Sequence, residues 1–232
     1  MRAIKKSLLG LTAAVVVQFA GGTSADAATL TYHGLAAPGG KTVQYTIDGI
    51  SKRHGAGAFD MKDESGNSFL AFCIDLFNTI KSSWDYTSGD SFVPVKDQVN
   101  TAAVTSNMKK LFTAHFDDAL TSAVNAAAFQ LALWEISVDT LADGSGLSLL
   151  DGRMIKTADG AVYDKTAEFL GSVTADASEG GYKLTFWDSK GSPEGRVSQN
   201  LVTATPVPLP AGMLLLGTGM AGLGVMRRRR RG

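Results

Sequence analysis

The chain has 232 residues, and its 22 lysines and arginines balance 22 aspartates and glutamates to a formal net charge of zero. Between Ala28 and Pro206, however, 14 basic groups face 21 acidic ones, a net of −7, which excludes the basic surface that nucleic-acid binding requires. A single cysteine, Cys73, excludes an internal disulfide framework, so stability must come from packing.

The N-terminus has a basic start (Arg2, Lys5, Lys6), an apolar stretch from Leu8 to Ala20, and small residues at Ala25 and Ala27. This layout predicts a helical signal peptide over residues 1–27, delivered to the export machinery and cut by signal peptidase between Ala27 and Ala28. From Thr29 to Asp75 the chain alternates as strands do: TLTYHG, then KTVQYTIDGI after the Gly39-Gly40 turn, then GAFDM, then SFLAFCID. The last run sets Phe69, Ala71 and Cys73 on one face and Leu70, Phe72 and Ile74 on the other. Both faces are apolar, which predicts a central strand with Cys73 near its end.

The period then changes. In DQVNTAAVTSNMKKLFTAHF the residues Val104, Met108, Leu111 and either Phe112 or His115 recur at three and four, predicting an amphipathic helix. Asp117 and Asp118 offer N-caps for a second helix, ALTSAVNAAAFQLALWEIS, apolar nearly all round and therefore buried on most sides. After Ile136 come a glycine- and serine-rich loop around DGSGLSLLDG, a short helix at YDKTAEFLGSV, a strand at YKLTFWD, and VSQNLVTA. Strands, then helices, then strands predict one α+β domain over residues 28–203: a β-sandwich or barrel-like sheet with a helical insertion from about Gln98 to Ser137.

Residues 204–232 have a different character. Ala211 to Met226 is sixteen residues without a charge, about 24 Å as a helix at 1.5 Å per residue, and Arg227, Arg228, Arg229, Arg230 and Arg231 follow at once. Such a segment reads as a transmembrane helix stopped by cytoplasmic arginines. Together with the preceding Val207-Pro208-Leu209-Pro210-Ala211 it resembles the VPLPA variant of the PEP-CTERM sorting signal of Gram-negative bacteria. The resemblance implies transient inner-membrane anchoring, recognition by an exosortase-type membrane protease, and delivery to the cell surface or extracellular matrix.

Gln130 lies in the most apolar stretch of the body, between Phe129 and Leu131. An unpaired buried amide costs about 1–3 kcal/mol, so it needs a partner. Backbone groups of neighbouring strands would serve, with Cys73 then a plain buried thiol. A second reading comes from resemblance: Phe72-Cys73-Ile74-Asp75-Leu76 followed by Phe129-Gln130-Leu131-Ala132-Leu133-Trp134 resembles the paired motifs of the bacterial Cys-Gln thioester domains of cell-surface adhesins. That resemblance implies an intramolecular thioester between Cys73 and Gln130, shielded from water by Phe72, Phe129 and Trp134. It also implies a function as adhesin or attachment protein, linking covalently to a nucleophile on a surface polymer or on a host or neighbouring cell. The alternative is a non-covalent structural component of the exopolysaccharide or biofilm matrix with the same fold.

Other chemistry is poorly supplied. His33, His54 and His115 are the only histidines, and none stands in a hydrolase signature beside Cys73; His115 falls on the apolar stripe of its helix. The aspartates of DTLADGSG lack the alternation of a calcium loop, and no His/Cys cluster suits zinc. The expectation is a protein without enzymatic activity, metal or cofactor. Asp75 and Glu135 are charges that either tune the thiol or lie on the surface.

Overall fold

The computed structural model describes residues 27–94, 99–141, 144–189 and 197–208. Residues 1–26 of the expected signal peptide lie outside them, as do Leu209, Pro210 and Ala211 of the sorting motif, its helix and its arginines. Among the described residues no helix is long and apolar enough to cross a membrane.

The elements in chain order are strands β1 (Ala27–Leu35), β2 (Lys41–Ile47), β3 (Ile50–Ala56), β4 (Phe59–Lys62), β5 (Ser68–Cys73) and β6 (Ser83–Gly89), helices α1 (Thr101–Ala119) and α2 (Ala123–Asp139), strand β7 (Met154–Lys156), helix α3 (Ala161–Gly171), and strands β8 (Tyr182–Ser189) and β9 (Leu201–Pro206). Six strands close an antiparallel barrel in the order β1-β4-β5-β9-β8-β6, and the other three form a separate sheet, β3-β2-β7. The barrel half of the expectation holds. A two-sheet sandwich is not formed, because β1 bonds β4 on one side and β6 on the other and leaves the sheet no edge.

Three strands are absent from the sequence reading: the three-residue β7, too short to show a period, and β3 and β6, each for an identifiable reason. KTVQYTIDGI reads as one strand, but Asp48 and Gly49 both take positive φ, 52° and 77°, and turn the chain back on itself into β3. Asp-Gly with two left-handed residues is the preferred two-residue hairpin, since its twist matches that of the flanking strands. β6, SWDYTSG, hides a period of two in a serine-rich stretch: Tyr86 is buried while Ser83 and Asp85 are exposed.

The helices follow their patterns more closely. Asn100 caps α1 by accepting from the Ala103 N–H at 3.2 Å, and Val104, Met108, Leu111 and Phe112 form its buried face. The cap of α2 is a correction. Asp117 and Asp118 belong to the last turn of α1, and Ser122, in extended backbone, accepts from Asn125 N–H at 3.1 Å instead. From Ala126 to Asp139 every residue of α2 is buried, because α1, α3, β5 and the small sheet surround it. α2 thus runs between the barrel wall and the β2–β3 hairpin. β9 continues to Pro206, paired with Tyr182, so residues 204–206 of the expected sorting segment are barrel strand.

Candidate functional site

The site forms where β5 outlasts its neighbour. The β4–β5 ladder pairs Phe59 with Ala71, so the same register would set Gly57 opposite Cys73, but β4 begins only at Phe59. On the other side Cys73 lies opposite Leu201, and Ile74 N–H donates to Asn200 O at 2.9 Å. Hydrogen-bonded and non-hydrogen-bonded pairs alternate along an antiparallel ladder, so the N–H and C=O of Cys73 point away from β9, toward the position β4 leaves open.

Gln130 fills that position. The Cys73 N–H donates to Gln130 Oε1 at 3.0 Å, and Gln130 Nε2–H donates to Cys73 O at 2.5 Å. The side-chain amide therefore stands in for one peptide unit of a missing strand. It explains how a fully buried glutamine is tolerated within an apolar helix. It also holds the carboxamide carbon against the backbone of the one residue that carries a thiol.

The sulfur lies on the opposite face of β5 from Phe72. Cys73 is fully buried; its S–H donates to Asp75 O at 3.0 Å, and the sulfur accepts from Asp75 N–H at 3.3 Å. Burial pushes the thiol up to about 12, with the Asp75 charge acting in the same direction, while the Asp75 backbone bond and the Trp134 indole oppose them. Asp75 is itself buried, not a surface charge: Oδ1 accepts from Phe77 N–H and Asn78 N–H, and Oδ2 from Asn78 Nδ2–H. Glu135 is also fully buried, yet it turns to the loop after α2, where Oε1 accepts from Ser148 N–H.

Aromatic rings enclose the site from two sides. Phe72 points to the opposite face of β5 from Cys73 and packs against Phe129 at 4.9 Å and Phe112 at 6.2 Å, sealing the helix-facing side. Trp134, one helical turn beyond Gln130, lies on the sulfur's side. Its buried indole N–H meets no acceptor in hydrogen-bond geometry, but it bears on the sulfur and favours the ionised form.

Two further groups were not singled out in the sequence. Tyr45 and His54, diagonal neighbours across the β2–β3 hairpin, both pack on Trp134, at 5.7 and 6.2 Å, and the Tyr45 hydroxyl lies 2.7 Å from His54 Nδ1. From the barrel side comes Tyr86, whose hydroxyl donates to Ser198 Oγ at 2.9 Å. Both phenols interact electrostatically with Cys73, and burial raises both. The Asp48-Gly49 turn is the signal that would have paired Tyr45 with His54. His54 itself is held below the usual histidine range by burial and by Lys52. His115 stacks on Phe169 at 4.3 Å and bonds Ser172, a boundary histidine away from this cluster, and His33 is exposed on β1. Among the described residues no group of three His, Cys, Asp or Glu side chains is arranged to hold a metal ion.

Among solved structures, the chain is similar to the N-terminal domain of the Streptococcus pyogenes pilus tip adhesin Cpa, with 13% identity over 75% of this chain and 98% of that one and a TM-score of 0.44. It is similar also to the N-terminal thioester domain of the fibronectin-binding protein SfbI from Streptococcus pyogenes, with 13% identity over 76% and 98% and a TM-score of 0.40. No protein-family model matches the chain, and no curated protein does.

Proposed function

We propose that this is an exported attachment protein whose Cys73 thiol condenses with the Gln130 carboxamide to form an internal thioester, later opened by a nucleophile on a surface polymer or neighbouring cell. The observation that carries the reading is the two-point docking of the Gln130 amide on the Cys73 backbone. That docking replaces a bimolecular encounter by a fixed one, where proximity substitutes for a strong catalyst. The Cys73 N–H already donates to Oε1, the atom on which negative charge develops when sulfur attacks, so the strand end supplies an oxyanion donor. The sealed aromatic surroundings support persistence of the product against water. In this reading the VPLPA-like ending delivers the protein to an exosortase-type protease and the outer surface.

Intact mass spectrometry of the mature protein tests it. A thioester lowers the mass by one ammonia, methylamine adds to the lighter species, and Cys73→Ala or Gln130→Ala abolishes both effects. A second reading, a non-covalent matrix component, is favoured by one observation: the Gln130 amide is already satisfied by backbone and the thiol is held protonated. It requires the full unmodified mass and a thiol that is alkylated once the protein is unfolded.

A further inference from the structure

Thioester chemistry at this site has a proton problem. The sulfur must lose its proton when the bond forms, and an incoming amine must lose one when the bond is opened. The group now receiving the S–H bond is the Asp75 carbonyl, which cannot take a proton. Both Asp75 carboxylate oxygens are engaged by Phe77 and Asn78, and the Tyr86 hydroxyl gives its hydrogen to Ser198, a buried hydroxyl that is no base. What remains is the Tyr45–His54 pair. Tyr45 is 1% exposed, whereas His54 is exposed at the surface of β3, and the two are joined by one 2.7 Å hydrogen bond. Both rings rest on Trp134, whose indole N–H bears on the sulfur. The pair therefore spans from the buried site to solvent.

We propose that Tyr45 and His54 form a proton relay between the Cys73–Gln130 centre and solvent; the inference rests on the thioester reading above. In the forming step the thiol proton passes to the Tyr45 oxygen as the Tyr45 proton passes to His54 Nδ1. The S–C bond forms, the C–N bond of the carboxamide breaks, and the relayed proton returns to the departing NH2 as ammonia. In the opening step an amine attacks the same carbon and gives its proton to the relay. The C–S bond then breaks, and the sulfur takes the proton back. No electrons are gained or lost in either step.

The relay requires Nδ1 of His54 to be unprotonated. Desolvation of the inner side of the ring, which packs on Tyr45 and Trp134, together with Lys52 holds His54 below the usual histidine range, so the relay is open at neutral pH and closes as the pH falls through that lowered value. The ionisable groups bearing on the cluster are Lys52 from β3, Cys73 and Asp75 from the end of β5, and Tyr86 from β6.

The test is the rate of methylamine incorporation into the mature protein, followed by intact mass from pH 5 to 9, for wild type, Tyr45→Phe and His54→Gln. Dividing wild-type by variant rates cancels the titration of methylamine itself. The relay predicts a ratio of about 100 or more at pH 7.5, in the range of general acid–base catalysis, shrinking as the pH falls below the usual histidine range. Tyr45→Phe keeps the ring on Trp134, and His54 is exposed, so His54→Gln leaves the fold intact and carries the test alone if Tyr45→Phe does not fold. A variant that melts like wild type but never loses ammonia also supports the relay, through its forming half. Variants that react at wild-type rates at every pH overturn the relay and leave the thioester standing. A wild-type protein of full mass overturns both.

Discussion

Of the polar side chains that helix α2 buries, Gln130 and Glu135, five residues apart, are settled in opposite ways. Gln130 meets two backbone groups of Cys73, and both its oxygen and its nitrogen are satisfied. Glu135 has one oxygen bonded to Ser148 N–H, while Oε2 has no partner among the described residues. Burial, with Asp139 adding to it, pushes Glu135 up to about 9, so it stays neutral at pH 7. The same helix thus carries an uncharged group fitted to a strand and an ionisable one tolerated only in its protonated form. Burial by itself is neutral about function; what distinguishes the two positions is whether the partner is fixed by a ladder or by a loop.

Breaking the Gln130 side of the contrast should cost most. Gln130→Ala orphans a buried N–H and a buried C=O of Cys73, at about 1–3 kcal/mol each, so a loss of about 2–6 kcal/mol is expected in urea unfolding. Asp139→Ala comes next. Its carboxylate accepts from Arg153 N–H and Met154 N–H, and their loss should lower stability by about 1–3 kcal/mol and loosen the loop after α2, read by hydrogen exchange of those two amides.

Glu135→Gln sharpens the comparison through pH. Because the folded-state value lies above the unfolded one, the native protein holds a proton that the unfolded chain releases between about 4.5 and 9, and the wild type loses stability as the pH rises through that window. Glutamine removes this dependence, so its stability relative to wild type should improve from pH 5 to 9, by no more than about 1.4 kcal/mol per pH unit. Thermal melts across that range check the slope. Smallest is Ser122→Ala, which uncaps the helix carrying both groups and should cost about 1 kcal/mol without altering either pH profile or mass.

Much of this arrangement can be read from the chain alone, and the rest fails for stated reasons. The three-and-four spacing of Val104, Met108 and Leu111, and the apolar run around Gln130, reveal both long helices because each pattern is local. Apolar character on both faces of Phe69 to Ile74 marks a central strand, as the barrel bears out. The meeting of Cys73 with Gln130 is not local: it follows from β4 stopping short by two residues in the register, and sequence pointed to it only through resemblance. Tyr45 and His54 were hidden by a hairpin read as one strand. The cap at Ser122 was missed because α1 runs on through two aspartates that pattern alone would place at a boundary.

The barrel order has a mechanical consequence. β9 is flanked on both sides, by six residues of β8 and by the end of β5, where Leu201 stands opposite Cys73. A pull on the segment following β9 therefore loads the β8 ladder in shear, with all its bonds sharing the strain, and the two pairs with the cysteine strand share that load from the far end of β9.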